Sequence, residues 1–207
     1  MERDRAGLER RYRTHLTSYW YNNKLEDIMI DQSNLKQVLL HLGFIENANV
    51  LSKNFTEIDA SLKADFNTQK LIYPIDEGFT ISGKFTTSFN QKENFVVFEC
   101  VYRLFEKGYK PQHIELEQSY SKIKKDDGGG RADIIVKDNN NNTLLIIECK
   151  TYGAEFEKHW KKTELDGDQL FRYLVNKRET KYLCLYSSGF INDRVLPKYH
   201  LITHPSR

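Results

Sequence analysis

Gly128-Gly129-Gly130-Arg131-Ala132-Asp133-Ile134-Ile135-Val136 runs into Lys137, Asp138 and four consecutive asparagines, Asn139 to Asn142; Thr143 then leads into Leu144-Leu145-Ile146-Ile147-Glu148-Cys149-Lys150. Two apolar runs of strand length flank a turn-forming cluster, which predicts a β-hairpin. Each run carries an acidic residue where a buried strand does not ordinarily keep one. In the second run alternate residues share a face, so Ile146, Glu148 and Lys150 line one side and Leu145, Ile147 and Cys149 the other. Across an antiparallel hairpin the start of the first strand lies beside the end of the second. The asparagine turn therefore carries Asp133 next to Glu148.

Outward from the hairpin, the spacing predicts a helix over 91–107, with Phe95, Phe98, Val101, Tyr102 and Phe105 on its apolar face, Glu99 beside that face and Gly108 as the stop. A strand over 113–120 and a lysine-rich loop (Lys122, Lys124, Lys125) come next. After the hairpin, 154–163 reads as a helix with Phe156 and Trp160 one turn apart, 168–177 as a second helical piece and 181–186 as an apolar strand. A helical crossover between the last two strands implies a parallel pair. The class is α/β, a mixed central β-sheet flanked by helices over 90–190, with 191–207 as a loose tail.

Residues 1–89 read as a mainly helical extension. Arg3, Arg5, Arg10, Arg11 and Arg13 mark the basic face of a helix over 3–21 whose apolar side is Leu8, Tyr12, Leu16 and Trp20. Asp31-Gln32-Ser33 offers caps for a helix over 34–42, with Leu35, Val38, Leu39 and Leu42 as its stripe and Gly43 as its stop. Short strands are expected over 70–75 and 79–82.

The bulk properties narrow the function classes. At 207 residues the chain suits one compact domain with room for a core. Its net charge of +2 is too mild to announce a nucleic-acid partner, so any such footprint must be local. No apolar run reaches membrane-spanning length, and the charged start has no signal-peptide core behind it; together with Cys100, Cys149 and Cys184 read as reduced core thiols, this predicts a cytoplasmic protein.

Two carboxylates and an ammonium held together need something to organise them. A hard divalent cation with oxygen ligands does so, and Mg²⁺ typically takes one or two protein carboxylates. Such an ion acidifies a water and offsets charge on a phosphate. The alternative is a structural ion pair. Glu-x-Lys recurs at Glu179-Thr180-Lys181, where no strand precedes it, so the dipeptide pattern alone decides nothing.

The ordered series Glu99 on a helix, Asp133, Glu148-x-Lys150 and then Gln169-Leu170-Phe171-Arg172-Tyr173 resembles the PD-(D/E)xK nuclease superfamily. More narrowly it is similar to the branch with a downstream Q-x-x-x-Y motif, found in type I and fused restriction–modification enzymes. The match spans about 73–190 and departs at the superfamily's proline, where Ala132 precedes Asp133. The resemblance implies a restriction-endonuclease-like αβββαβ core and a Mg²⁺ ion, with Mn²⁺ as a substitute. Its ligands would be Asp133, Glu148 and the Cys149 carbonyl, with Glu99 acting through water or orienting Lys150, the catalytic lysine. Gln169 and Tyr173 share a helical face and would support the site and touch the DNA backbone.

Lys122, Lys124 and Lys125, with Lys158, Lys161 and Lys162, are candidates for phosphate contacts, with solvated charge as the alternative. The expected substrate is double-stranded DNA, cut by the cleavage module of a restriction–modification enzyme. Its methyltransferase, specificity or motor modules would lie elsewhere on the same chain or on another, and dimerisation would serve to cut both strands. A non-cleaving nucleic-acid-binding module, or an RNA nuclease or junction resolvase on the same fold, are the competing classes.

Overall fold

The computed structural model describes residues 29–83, 85–119, 131–166 and 180–203. The expected helices over 3–21 and 168–177, the glycines 128–130, Lys122, Lys124, Lys125, Gln169 and Tyr173 lie outside the described residues. The first described helix has Asn34 as its N-cap, not Asp31, Gln32 or Ser33, and makes no side-chain capping bond. Asp31 ties the turn before it, its Oδ1 accepting the Ser33 N–H at 2.9 Å and its N–H donating to Asn34 Oδ1 at 2.9 Å. Helix α1 (Leu35–His41) follows and buries Leu35, Val38 and Leu39, the stripe that its spacing predicts.

The chain then forms β1 (Ile45–Asn47), β2 (Val50–Phe55), β3 (Ala60–Asp65) and β4 (Lys70–Ile72), an antiparallel meander in that order. The described part of the extension is thus largely sheet, which corrects the helical expectation. The physical reason lies in the faces of β2 and β3. They bury only Leu51 and Phe55, and Ala60, Leu62 and Ala64. Lys53 shares the Leu51/Phe55 face, with its ammonium on the Leu42 carbonyl and the Tyr102 hydroxyl, while Asn54 and Lys63 turn outward. Two alanines and a scatter of polar residues give a weak period-two signal.

The larger sheet starts at β5 (Thr80–Ile81). Helix α2 (Lys92–Glu106) comes next, then β6 (Ile114–Ser119), β7 (Arg131–Lys137), β8 (Thr143–Cys149), helix α3 (Ala154–Asp166), β9 (Tyr182–Ile191) and β10 (Arg194–Thr203). Strand order is β10-β9-β8-β7-β6-β5, parallel at β5/β6 and β8/β9 and antiparallel elsewhere. The parallel β8/β9 pair around α3 is the crossover that the sequence implies. The expected loose tail is instead β10, hairpinned to β9 through Asn192 and Asp193 at φ 49° and 57°. Two left-handed residues between antiparallel strands suit the tightest hairpins. Pro197, Lys198 and a mostly exposed face hid β10 from a period-two reading.

Helix α2 is buried almost all round, with Phe95, Phe98, Val101 and Phe105 packed against Ile134, Val136, Ile147 and Cys149 of the sheet. Leu51 and Leu62 of the meander join the same cluster, so one core runs through both sheets across residue 89. On the opposite face α3 contributes Phe156 to a smaller cluster with Ala132, Ile135, Ile146, Leu183 and Leu185. The three cysteines are free and buried, as expected. Among the described residues no helix is long and apolar enough to cross a membrane.

Aromatic stacking clamps α3 to β10. The His200 ring lies 3.8 Å from that of Trp160 at 8° and 5.4 Å from that of Phe156 at 17°. Burial, and Lys198 on the same strand, hold the imidazole below its ordinary value, against Glu157 and Glu164 on α3. A depressed folded-state value means that the folded chain binds fewer protons than the unfolded one. The stability contribution is therefore present above about pH 6.5 and lost as pH falls through the folded-state value. Thermal melts at pH 7.5 and 5.5 should show a smaller drop for His200→Phe than for the parent.

Candidate active site

The hairpin turn is held by one side chain. Asp138 Oδ1 accepts the N–H groups of Asn140 and Asn142, each at 2.9 Å, while Asn141 takes φ 65°, which asparagine tolerates. This turn sets the ladder Ile134↔Ile147, Ile135↔Ile146 and Val136↔Leu145, with an irregularity at Val136/Lys137. One step further along that register lie Asp133 and Glu148. Directly opposed residues share a face, so the two carboxylates are neighbours on one side of the sheet. Asp133 Oδ2 also accepts the Cys149 N–H at 2.7 Å, tying the start of β7 to the end of β8.

Lys150 follows on the same face and is fixed by its own N–H, which donates to the Tyr186 carbonyl at 2.9 Å. Its ammonium donates to Glu148 Oε1 at 2.8 Å, the Cys149 carbonyl at 2.9 Å and Glu93 Oε2 at 3.2 Å. Glu148 is 3% exposed and Lys150 6%. Burial alone would favour neutral lysine, but the carboxylates of Glu148, Asp133 and Glu93 override it and raise the ammonium's pKa. Burial first, and the facing Glu148 second, push Asp133 well above the carboxylate range. Burial also raises Glu93, against the pull of Lys150. Among the described residues the one ammonium of Lys150 faces all three carboxylates.

The helix carboxylate at this site is Glu93. Glu99, the residue expected there, lies two thirds of a helical turn round from it and about 9 Å further along the axis. Its Oε1 accepts from Arg103 Nε at 2.5 Å and its Oε2 from the Tyr186 hydroxyl at 2.7 Å. Burial raises its pKa, opposed by Arg103. The signal for Glu93 was present in the topology. A short connection from α2 to β6 puts the helix N-terminus at the C-terminal end of β6. Strand β8 runs parallel to β6, so its C-terminal end, with Glu148 and Lys150, lies on that same side.

Lys158, Lys161 and Lys162 are exposed on α3; Lys161 and Lys162 stand about 10 Å or more beyond its first residue. None of them is part of the Lys150 cluster.

Among the described residues no three His, Cys, Asp or Glu side chains are arranged to hold a metal ion. The hairpin offers a set of another kind: two carboxylates, Asp133 and Glu148, and the main-chain carbonyl of Cys149. These are oxygen donors only, as Mg²⁺ prefers. The ammonium of Lys150 already bridges Glu148 and the Cys149 carbonyl, so those two oxygens face a common cation. An all-oxygen donor set, with two of its oxygens converging on one cation, fits a small divalent ion. Neither a protein-family model nor a curated protein matches this chain.

Proposed function

We propose that this chain is a Mg²⁺-dependent endonuclease domain of the PD-(D/E)xK type that hydrolyses phosphodiester bonds in DNA, as the cleavage module of a restriction–modification enzyme. The observation that carries the reading is the convergence of Asp133, Glu148 and Lys150 at one end of the β7/β8 hairpin, with Glu93 reaching Lys150 from α2. The order α2-β6-β7-β8-α3-β9 supports a restriction-endonuclease-like core. A buried ion pair kept only for stability has no need of two further carboxylates, since leaving charge uncompensated in a buried site is destabilising.

Asp133, Glu148 and the Cys149 carbonyl would hold the ion. When bound, Mg²⁺ supplies Lewis acidity toward a phosphate oxygen and a water. The chain's own residues do the rest. Lys150 directs its ammonium to the reacting phosphate, where it orients the attacking water or offsets the extra negative charge of the phosphorane. Glu93 accepts from that ammonium and fixes its direction. The Cys149 N–H fixes the Asp133 carboxylate.

Incubating the purified protein with plasmid, linear DNA and RNA, with Mg²⁺ or with EDTA, tests the reading. Nicked or linear plasmid is expected with Mg²⁺ and none with EDTA. A protein that binds DNA but never cuts it under any divalent metal is a binding module instead. Preferential cutting of RNA would move the assignment to an RNA nuclease.

A further inference from the structure

Beside the proposed site, segment 85–88 is fastened by two buried polar side chains. From α2, Asn94 Nδ2 donates to the carbonyls of Phe85 at 2.6 Å and Ser88 at 2.9 Å. From β6, Glu117 accepts the Thr86 N–H. Glu117 lies between the paired Leu116↔Ile134 and Gln118↔Ala132, level with Asp133, and takes φ 55°, uncommon for a non-glycine residue. Gly83 passes so close that a Cβ there would stand 1.6 Å from Glu117 Oε2. A buried carboxylate and a left-handed strand residue are both unfavourable features to keep.

What they hold in place is an exposed ring. Phe85 is 57% exposed; the Arg131 guanidinium lies over one face of its ring, 4.4 Å from the centroid, and its Nη1 is 3.8 Å from Glu117 Oε2. The Arg131 side chain is itself 39% exposed. Arg131 opens β7 two residues before Asp133, and Asn94 adjoins Glu93, so the pair borders the site from two elements. The outer face of such a ring, opposite the guanidinium, suits a base, and the exposed edge of the guanidinium suits the phosphate of the same nucleotide. In unbroken duplex the base faces are covered by their neighbours. Such a ring can be used only by a base that has left the stack.

We propose that Phe85 and Arg131 form a subsite for one unstacked nucleotide of the DNA strand beside the phosphate to be cut. In a duplex substrate one nucleotide must then leave the stack at the cut to fill this subsite. This rests on the nuclease reading for which bond is cut, while the subsite itself is measurable without cutting.

The test is fluorescence anisotropy in EDTA with a fluorescein-labelled oligothymidylate and a labelled blunt duplex. Phe85→Ala should weaken oligothymidylate binding about 10-fold and duplex binding by less than about twofold, and Phe85→Trp should restore it. Arg131→Ala should lower the salt slope of binding by about one. Unchanged oligothymidylate affinity in Phe85→Ala overturns the subsite, as does equal weakening on both DNAs or no oligothymidylate binding by the parent. Thermal melts check that the variants fold; Phe85→Leu, which keeps bulk without the π face, should bind as weakly as Phe85→Ala, and parental affinity there also overturns it. If Phe85 dependence holds but the parent cuts nothing with Mg²⁺, the subsite stands and the nuclease reading falls. Cutting by the parent with no Phe85 dependence has the reverse meaning.

Discussion

Asp133→Asn is expected to abolish plasmid cleavage and, in EDTA, to raise the melting temperature. Both effects come from one carboxylate. Asp133 is opposite Glu148 on the register and is turned from an ordinary acid by burial and by that neighbour. The single ammonium of Lys150 is shared with Glu148 and Glu93. Asparagine keeps the Cys149 N–H bond, because its carbonyl oxygen can replace Oδ2, and it removes the like charge. Relief worth about 1 kcal/mol would raise Tm by about 2–4 °C in a chain of this size. The same change removes a proposed ion ligand, and cleavage should fall by about 10³-fold or more.

Lys150→Ala should also lose cleavage but carry the opposite sign in stability, since it leaves three carboxylates without their shared cation. Plasmid nicking and melts with and without Mg²⁺ check both variants. An Asp133→Asn protein that melts lower than its parent, or that cuts within tenfold of it, would sink the site. A variant that is dead yet more stable is the mark of a group kept for function at the expense of the fold.

The hairpin was legible because its information is local. Asp138 and the asparagines specify the turn, and the turn specifies the register that sets Asp133 against Glu148. The choice between Glu93 and Glu99 was not local. Glu99 flanks the Phe95/Phe98/Phe105 face of α2 and Glu93 lies nearly opposite it; periodicity says which face is buried but not which end of the helix stands over the strand ends. The connection to β6 and the order of the larger sheet decide that, and they involve residues far apart in sequence. Strands β2, β3 and β10 escaped for another reason. Each has one mostly solvated face and small or polar residues, so their pairing is fixed by neighbouring strands more than by their own pattern. Phe85 and Arg131 carry no signal in the sequence at all; only the fold brings a loop residue onto the start of β7.

Glu99→Ala is expected to cost the fold about 3 kcal/mol, or roughly 6–12 °C in Tm, and to leave the chemistry intact at temperatures where the variant remains folded. Glu99 is 1% exposed and accepts from Arg103 and from the Tyr186 hydroxyl, while Arg103 also donates to the Val195 carbonyl at 3.3 Å. One carboxylate therefore joins α2 to β9 and, through Arg103, to β10. Removing it strands a guanidinium and a buried hydroxyl. The Arg103 side chain is 31% exposed and recovers some hydration, which places the loss at the lower end for a broken buried pair. Glu93→Gln is the counterpart. Glu93 is partly exposed and its one described partner is Lys150, so the melt should scarcely move while cleavage falls. Scanning calorimetry and nicking rates on the two variants separate the roles. If Glu99→Gln melts with its parent but cannot cut, the catalytic helix carboxylate is Glu99 after all, and the Lys150–Glu93 contact is only an ion pair.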